Sequence, residues 1–227
     1  MSAYFVTGTG TDIGKTFVTA GLIRVLRAAG KPVRALKPVV SGFDETNAHT
    51  SDPAMLLNAM GLEVSEDAIA RMAPWRFAAP LAPDMAAARE GRAVDFEALI
   101  AFCHMAAAER GTLFIEGVGG VMVPLDVKRT VLDWMAALRI PVILVAGSYL
   151  GTISHTLTAL DAMAHAGVKV AALVINDSGD GGVPLDDTAA ALSRFAPGIA
   201  ITTLPRAASA EDFARLATLI FQRDSQP

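Results

Sequence analysis

The 227-residue sequence predicts an α/β fold: an open, doubly wound, mainly parallel sheet with helices on both faces. Three observations carry this. Short apolar runs alternate with longer stretches of helical period, the order that strand–helix–strand units require. Most of the runs are unbroken rather than alternating, as in strands buried on both faces of a parallel sheet. Glycines stand where helices should stop, at Gly30, Gly61, Gly111 and Gly167.

Taken in order, strands are expected over Ala3–Thr7, Val33–Lys37, Thr112–Glu116, Val142–Ala146, Val168–Ile175 and Ile199–Thr203. Helices are expected over Lys15–Ala29, Asp52–Met60, Asp95–Glu109, Thr130–Leu138, Thr152–Ala166, Leu185–Phe195 and Ala210–Gln222. The stretch from Met72 to Pro83 holds three prolines and a tryptophan, too broken for a regular helix. A long loop of that kind is either functional or a cover for the core. The tail from Asp224 to Pro227 is expected to fray. With no internal repeat or low-complexity linker, residues 1–227 read as one domain.

Composition narrows the function. At 52% hydrophobic and 19% charged residues the chain can bury a sizeable core. A net charge of -4 and a pI near 5.5 give no general attraction to nucleic acid or anionic membranes. No segment reaches the roughly 18 apolar residues that span a bilayer. The N-terminus enters strand-like Ala3-Tyr4-Phe5-Val6 without the pattern of a signal peptide, so a cytoplasmic location is expected. The only cysteine, Cys103, excludes an internal disulfide framework.

The first strand runs into GTGTDIGKT, Gly8 to Thr16. A strand, a glycine-rich turn, then Gly14-Lys15-Thr16 opening a helix is the arrangement phosphate binding requires. Backbone N–H groups and the helix N-terminus meet the anion, Lys15 adds positive charge, and the Thr16 hydroxyl can ligate Mg²⁺. The usual motif leaves four residues between its first glycine and Gly-Lys-Thr; here there are five, so the front half is a variant. Asp12, inside the loop, is either a turn residue or a group that orients a magnesium-bound water.

In open parallel sheets ligands bind beyond the carboxyl ends of the strands. Five predicted strand ends carry glycine or unusual polar residues: the Gly8–Thr16 loop, Lys37 to Gly42, Glu116 to Gly120, Gly147 to Thr152, and Asn176-Asp177. Glu116 ends an apolar run, where a carboxylate suits a phosphate-bound metal. Pro38 keeps Lys37 extended, so its ammonium leaves a strand tip where it can neutralise a transferring phosphoryl group. Ser41 caps a turn or borders a ligand. Asp52, before Pro53, reads equally as a helix N-cap or a functional carboxylate. Cys103 and His104 lack a second cluster at ligand spacing and read as core packing; His155 and His165 make no motif.

Together GTGTDIGKT, LKPVVSG, FIEGVGG, VILVAGSYLGTISHT and VINDS resemble the dethiobiotin synthetase family, in order and spacing, over nearly the whole chain. That family has a P-loop NTPase-like fold and the same lengthened loop. The resemblance implies ATP-dependent carboxylation of 7,8-diaminononanoate (diaminopelargonate) with CO₂, giving dethiobiotin, ADP and phosphate through a carbamate and a carbamic–phosphoric anhydride. It implies Lys37 and Lys15 as catalytic groups and Thr16, Asp52 and Glu116 as holders of magnesium. ATP would be bound by Asp12, Ile13, Gly14, Lys15, Thr16, Phe17, Asp52, Glu116, Gly117, Val118 and Gly119. Asp177 would also belong to the ATP site, Asn176 would read the adenine, flanked by Pro205, Arg206 and Ala207, and Glu211 or Asp212 would take the ribose.

The diamine would be bordered by Thr11, Lys37, Ser41 and Gly119. In the homodimer that the resemblance implies, Tyr149, Leu150 and Gly151 of one subunit would reach the substrate tail in the other. The chain departs from the family pattern at Tyr149, Ser154 and Arg206, where members often carry lysine, asparagine and a larger apolar residue. Two other enzyme or ATPase types share the fold. A cobyrinate-type amidotransferase would need a glutaminase domain, and a nucleotide-switch ATPase would normally offer a strongly amphipathic tail helix.

Overall fold

The computed structural model describes residues 2–179 and 183–223; the tail from Asp224 to Pro227 lies outside the described residues. Eight strands are described: β1 (Ser2–Gly8), β2 (Val33–Leu36), β3 (Val39–Ser41), β4 (Trp75–Phe77), β5 (Thr112–Glu116), β6 (Val142–Ala146), β7 (Val170–Asn176) and β8 (Ile201–Leu204). The helices are α1 (Lys15–Ala28), α2 (Asp52–Met60), α3 (Glu66–Met72), α4 (Pro83–Arg89), α5 (Phe96–Ala107), α6 (Val131–Leu138), α7 (Thr152–His165), α8 (Leu185–Phe195) and α9 (Ala210–Arg223).

Six strands form the main sheet in the order β2-β5-β1-β6-β7-β8, every pair parallel. The pleat sends alternate residues to opposite faces. Phe5, Leu113, Ile115, Leu144 and Leu173 join one core, which α5, α6, α7 and α8 cover. Tyr4, Val6, Phe114, Ile143 and Val174 join the other, under α1, α2, α3 and α9. Hence the unbroken apolar runs in the sequence.

Several expectations need correction. The stretch from Met72 to Pro83 is not irregular throughout: β4 pairs in parallel with β3 to make a second, two-stranded sheet. Strands of three residues show no period, and their pairing is a tertiary event that local sequence does not encode. Pro83 sits at the first turn of α4, where its missing N–H costs nothing. Helix α3 has a Ser65 cap accepting from the Ala68 N–H at 3.2 Å, but it is too short for an apolar stripe to stand out. Strands β7 and β8 each start two residues later than expected. No helix among the described residues is long and apolar enough to cross a membrane.

Candidate active site

Because the main sheet is parallel, the ends of β2, β5, β1, β6 and β7 all lie on one edge. Their order matters more than their sequence. Strand β5 lies between β2 and β1, so Glu116 stands between Lys37 and the phosphate loop, although it is about 80 residues from Lys37 along the chain.

The loop is held open by two left-handed residues. Gly14 (φ 94°) forms the N-cap of α1, and a Cβ there would come within 2.2 Å of the Asn176 amide nitrogen. Asp12 takes φ 57°, a region that aspartate tolerates better than most residues. Ile13 turns inward, where it is 5% exposed and packs into the α1-side core. Lys15 Nζ donates to the Gly10 carbonyl at 2.8 Å, folding its ammonium back across the loop.

Beneath the loop lies a buried charged cluster. Lys37 Nζ donates to Glu116 Oε1 at 2.6 Å and to the Gly117 carbonyl at 2.9 Å, and it lies 3.1 Å from Asp52 Oδ2. Thr16 Oγ1 donates to the same Glu116 oxygen at 2.6 Å. Glu116 is fully buried and Lys37 3% exposed, while Oε2 of Glu116 is buried with no hydrogen-bond partner among the described residues. Burial alone would lower the Lys37 pKa, but Glu116 and then Asp52 outweigh it and hold the ammonium firmly charged. Burial would likewise raise the Asp52 carboxyl; Lys37 overrides that and keeps it below the usual carboxylate range. Lys15 goes the other way: burial, then repulsion from Lys37, bring it down to about 8.

Asp52 is not an N-cap. Ser51 caps α2, its Oγ accepting from the Ala54 N–H at 3.4 Å, and Asp52 is the first helical residue, free to turn its carboxylate to Lys37. A serine one position earlier competes for the cap, and the sequence holds that signal too.

A cavity of about 780 Å³ opens over this cluster. Of the predicted site residues, Thr11, Asp12, Gly14, Lys15, Thr16, Phe17, Lys37, Ser41, Asp52, Val118 and Gly119 line it. Ile13, Glu116 and Gly117 lie behind that wall. The apolar side of the cavity is formed by Val40 from the Lys37–Gly42 segment, by Pro80, Leu81 and Pro83 from the proline-rich stretch, and by Met55 and Val123, which sequence reasoning missed. The proline-rich stretch is therefore part of the site, drawn in by Gly42 N–H to the Ala79 carbonyl and Phe43 N–H to the Phe77 carbonyl, each 2.9 Å.

Asp177 and Arg206 line a second cavity of about 500 Å³ with Ser148, Gly179 and Val183 to Leu185. Asn176 is buried beside it in sequence, Nδ2 donating to the Ile13 carbonyl at 3.0 Å. Pro205 and Ala207 are exposed on the turn after β8. Neither cavity is lined by Tyr149, Leu150 or Gly151. Tyr149 Oη bonds His155 Nδ1 at 2.8 Å, Gly151 starts α7 at φ 100°, and Leu150 is 92% exposed. Asp212 Oδ2 accepts from the Ser209 N–H and hydroxyl, each 2.7 Å, whereas Glu211 is exposed.

Cys103 packs in the core as expected, and burial pushes its thiol up to about 12. His104 does not; it is exposed, one position round α5 from the buried face. Among the described residues no three His, Cys, Asp or Glu side chains gather as a metal cluster. Magnesium does not need one, since one or two carboxylates plus phosphate oxygens and water suffice. The hard oxygens of Thr16, Asp52 and Glu116, with Glu116 Oε2 unpartnered, fit that requirement.

Comparison with known proteins shows the family and the fold. A family model described as an AAA domain matches residues 2–212. The ATP-dependent dethiobiotin synthetase BioD of Methylobacterium nodulans is 52% identical over 202 residues, covering 86% of this chain and 90% of that protein. The protein of the same name from Acidiphilium cryptum is 52% identical over 196 residues, covering 86% and 88%. Among solved structures, the cell division ATPase MinD of Pyrococcus furiosus aligns with a TM-score of 0.58, covering 98% of this chain and all of that one. At 15% identity that likeness concerns the fold alone.

Proposed function

The chain belongs to the ATP-dependent dethiobiotin synthetase family, and on that premise we propose that it closes the cyclic urea of dethiobiotin from 7,8-diaminononanoate, CO₂ and ATP. The enzyme is an ATP-dependent ligase of biotin synthesis. The observation that carries the finer reading is the buried Lys37 ammonium, bridging Glu116, Asp52 and the Gly117 carbonyl at the floor of a cavity that the phosphate loop borders.

The reaction needs charge neutralised at two places in turn. An amine of the substrate attacks CO₂ and loses a proton, giving a carbamate. A carbamate oxygen attacks the γ-phosphorus, and ADP leaves with the electron pair of the broken P–O bond. The second amine attacks the resulting anhydride carbon, phosphate leaves, and loss of a proton completes the ring. Lys15 and the loop N–H groups hold the phosphates in the ground state. Lys37, two strands further out beyond β5, meets the carbamate and the phosphoryl group during transfer, where a fixed charge costs no reorganisation. Thr16, Asp52 and Glu116 would hold Mg²⁺, whose contribution when bound is to screen phosphate charge.

Thr11, Ser41, Gly119 and the apolar wall would take the diamine, while Asn176 and residues 205–207 would take the adenine, with Asp177 also in the ATP site. The enzyme would act as a homodimer, Tyr149, Leu150 and Gly151 of each subunit completing the other's site. The reading also takes 1–227 as one catalytic domain in the cytoplasm, which cell fractionation checks. The direct test supplies the diamine, MgATP and isotope-labelled bicarbonate. Mass spectrometry should find one labelled carbon in a cyclised product; unlabelled or uncyclised diamine would sink the proposal.

A further inference from the structure

The phosphate loop is tied to a strand that does not carry it. Asn176, at the end of β7, donates its Nδ2 to the Ile13 carbonyl at 3.0 Å, a buried bond between residues 163 positions apart. A carbonyl can only accept, so the side of the amide that faces Ile13 is fixed as the NH₂. The remaining oxygen, Oδ1, is buried without a partner among the described residues. The contact is tight as well as polar. A Cβ on Gly14 would fall 2.2 Å from Nδ2, and a Cβ on Gly8 would fall 2.4 Å from the Ile13 Cδ1 atom. Ile13 is thus clamped on both its side chain and its carbonyl, immediately before the glycine whose N–H group precedes Lys15.

We propose that Asn176 is a positioning residue for the phosphate loop: by holding the Ile13 carbonyl it sets the orientation of the Gly14 and Lys15 amides that receive the triphosphate. This lies beyond contact with a nucleobase and rests on the reading of the loop as the triphosphate site. The lengthened front half explains the need. A longer loop has more conformations to lose, and one buried hydrogen bond plus a buried isoleucine fix it before ligand arrives. Without the bond, the Ile13 carbonyl is left buried and unpaired, and the loop relaxes to satisfy it.

Inorganic tripolyphosphate with magnesium separates this from base recognition, because it has no base. In titration calorimetry, Asn176→Ala should weaken tripolyphosphate roughly three- to tenfold, and ATP by at least as much, the range expected for one lost hydrogen bond. Leu192→Ala, which truncates the core on the opposite face of the sheet, is the control for general destabilisation and should leave tripolyphosphate affinity unchanged. Should the alanine variant not fold, Asn176→Ser keeps a polar group too short to reach Ile13 and is read in the same way. An ATP loss with tripolyphosphate unaffected would assign Asn176 to the base alone and overturn the proposal, as would a loss in neither, or an equal loss in the Leu192→Ala control. Failure of the unmodified protein to bind tripolyphosphate at all would overturn the site reading, and the proposal with it.

Discussion

The loop after β6 and the cluster after β2 and β5 occupy the same edge of the same sheet, yet one is turned outward and the other inward. Leu150 is 92% exposed, and Tyr149 makes its side-chain hydrogen bond to His155 of the following helix. Lys37 is 3% exposed and bonded to Glu116, Gly117 and Asp52, which come from two other elements. The contrast separates two kinds of site. Charges taken out of water must be paired within the chain that buries them, or the penalty exceeds what folding supplies. An apolar side chain left in water carries no such requirement, and its role waits for whatever covers it. The charges at the phosphate end are therefore paired within the chain, whereas Leu150 at the other end stays open to water.

The comparison is broken most decisively at Lys37. Lys37→Gln should lower turnover on the order of 100-fold or more while changing ATP affinity far less, since the proposed role uses its charge during transfer rather than in the ground state. It should also lower thermal stability, since Glu116 loses the cation that pairs it in a fully buried position. Ring-closure kinetics and ATP calorimetry on the folded variant decide it. Near-normal turnover, or a loss accounted for by ATP binding alone, would defeat the role.

Glu116→Gln keeps the shape and removes the charge. Its half-saturating magnesium should rise about tenfold, as when a direct ligand or its support is lost. Normal turnover at limiting magnesium would remove Glu116 from the metal site.

Lys15 sharpens the comparison through pH. Its folded pKa is about 8, below the ordinary 10.5. Between those values the unfolded chain holds more protons, so this residue's contribution to stability rises with pH. ATP binding to the free enzyme should do the opposite and weaken as pH passes about 8, where the ammonium is lost. In Lys15→Arg the guanidinium stays charged, and the alkaline limb of the calorimetric affinity should disappear. A limb that persists belongs to another group.

The smallest effect belongs to the exposed loop. Leu150→Ala should raise KM for the diamine only a few-fold and leave ATP affinity alone, as loss of one rim contact does. Light scattering on the unmodified protein should give a dimer. A monomer, fully active at the same concentration, would remove the second subunit from the site.

Sequence revealed the parts of this site that are local. Gly14-Lys15-Thr16 follows a strand and opens a helix, and Pro38 forces Lys37 out of a strand end; both are read within a few residues. What depends on strand order was not readable. That β5 inserts between β2 and β1, bringing Glu116 to Lys37, follows from packing of the whole sheet. The same holds for the β3–β4 pairing that draws Pro80 to Pro83 over the cavity, and for the bond from Asn176 to Ile13. Asp52 shows a local signal outweighed by its neighbour: aspartate before proline suggests a cap, but Ser51 takes the cap and the carboxylate goes to the lysine.

One measurement bears most directly on the claim that this buried cluster drives ring closure rather than idle ATP hydrolysis. ADP release is followed with the diamine, bicarbonate and MgATP together, and again with each omitted in turn. The proposed reaction predicts one ADP per dethiobiotin formed, and release that falls to background when either the diamine or bicarbonate is withheld. ADP release that continues undiminished without the diamine would contradict the account.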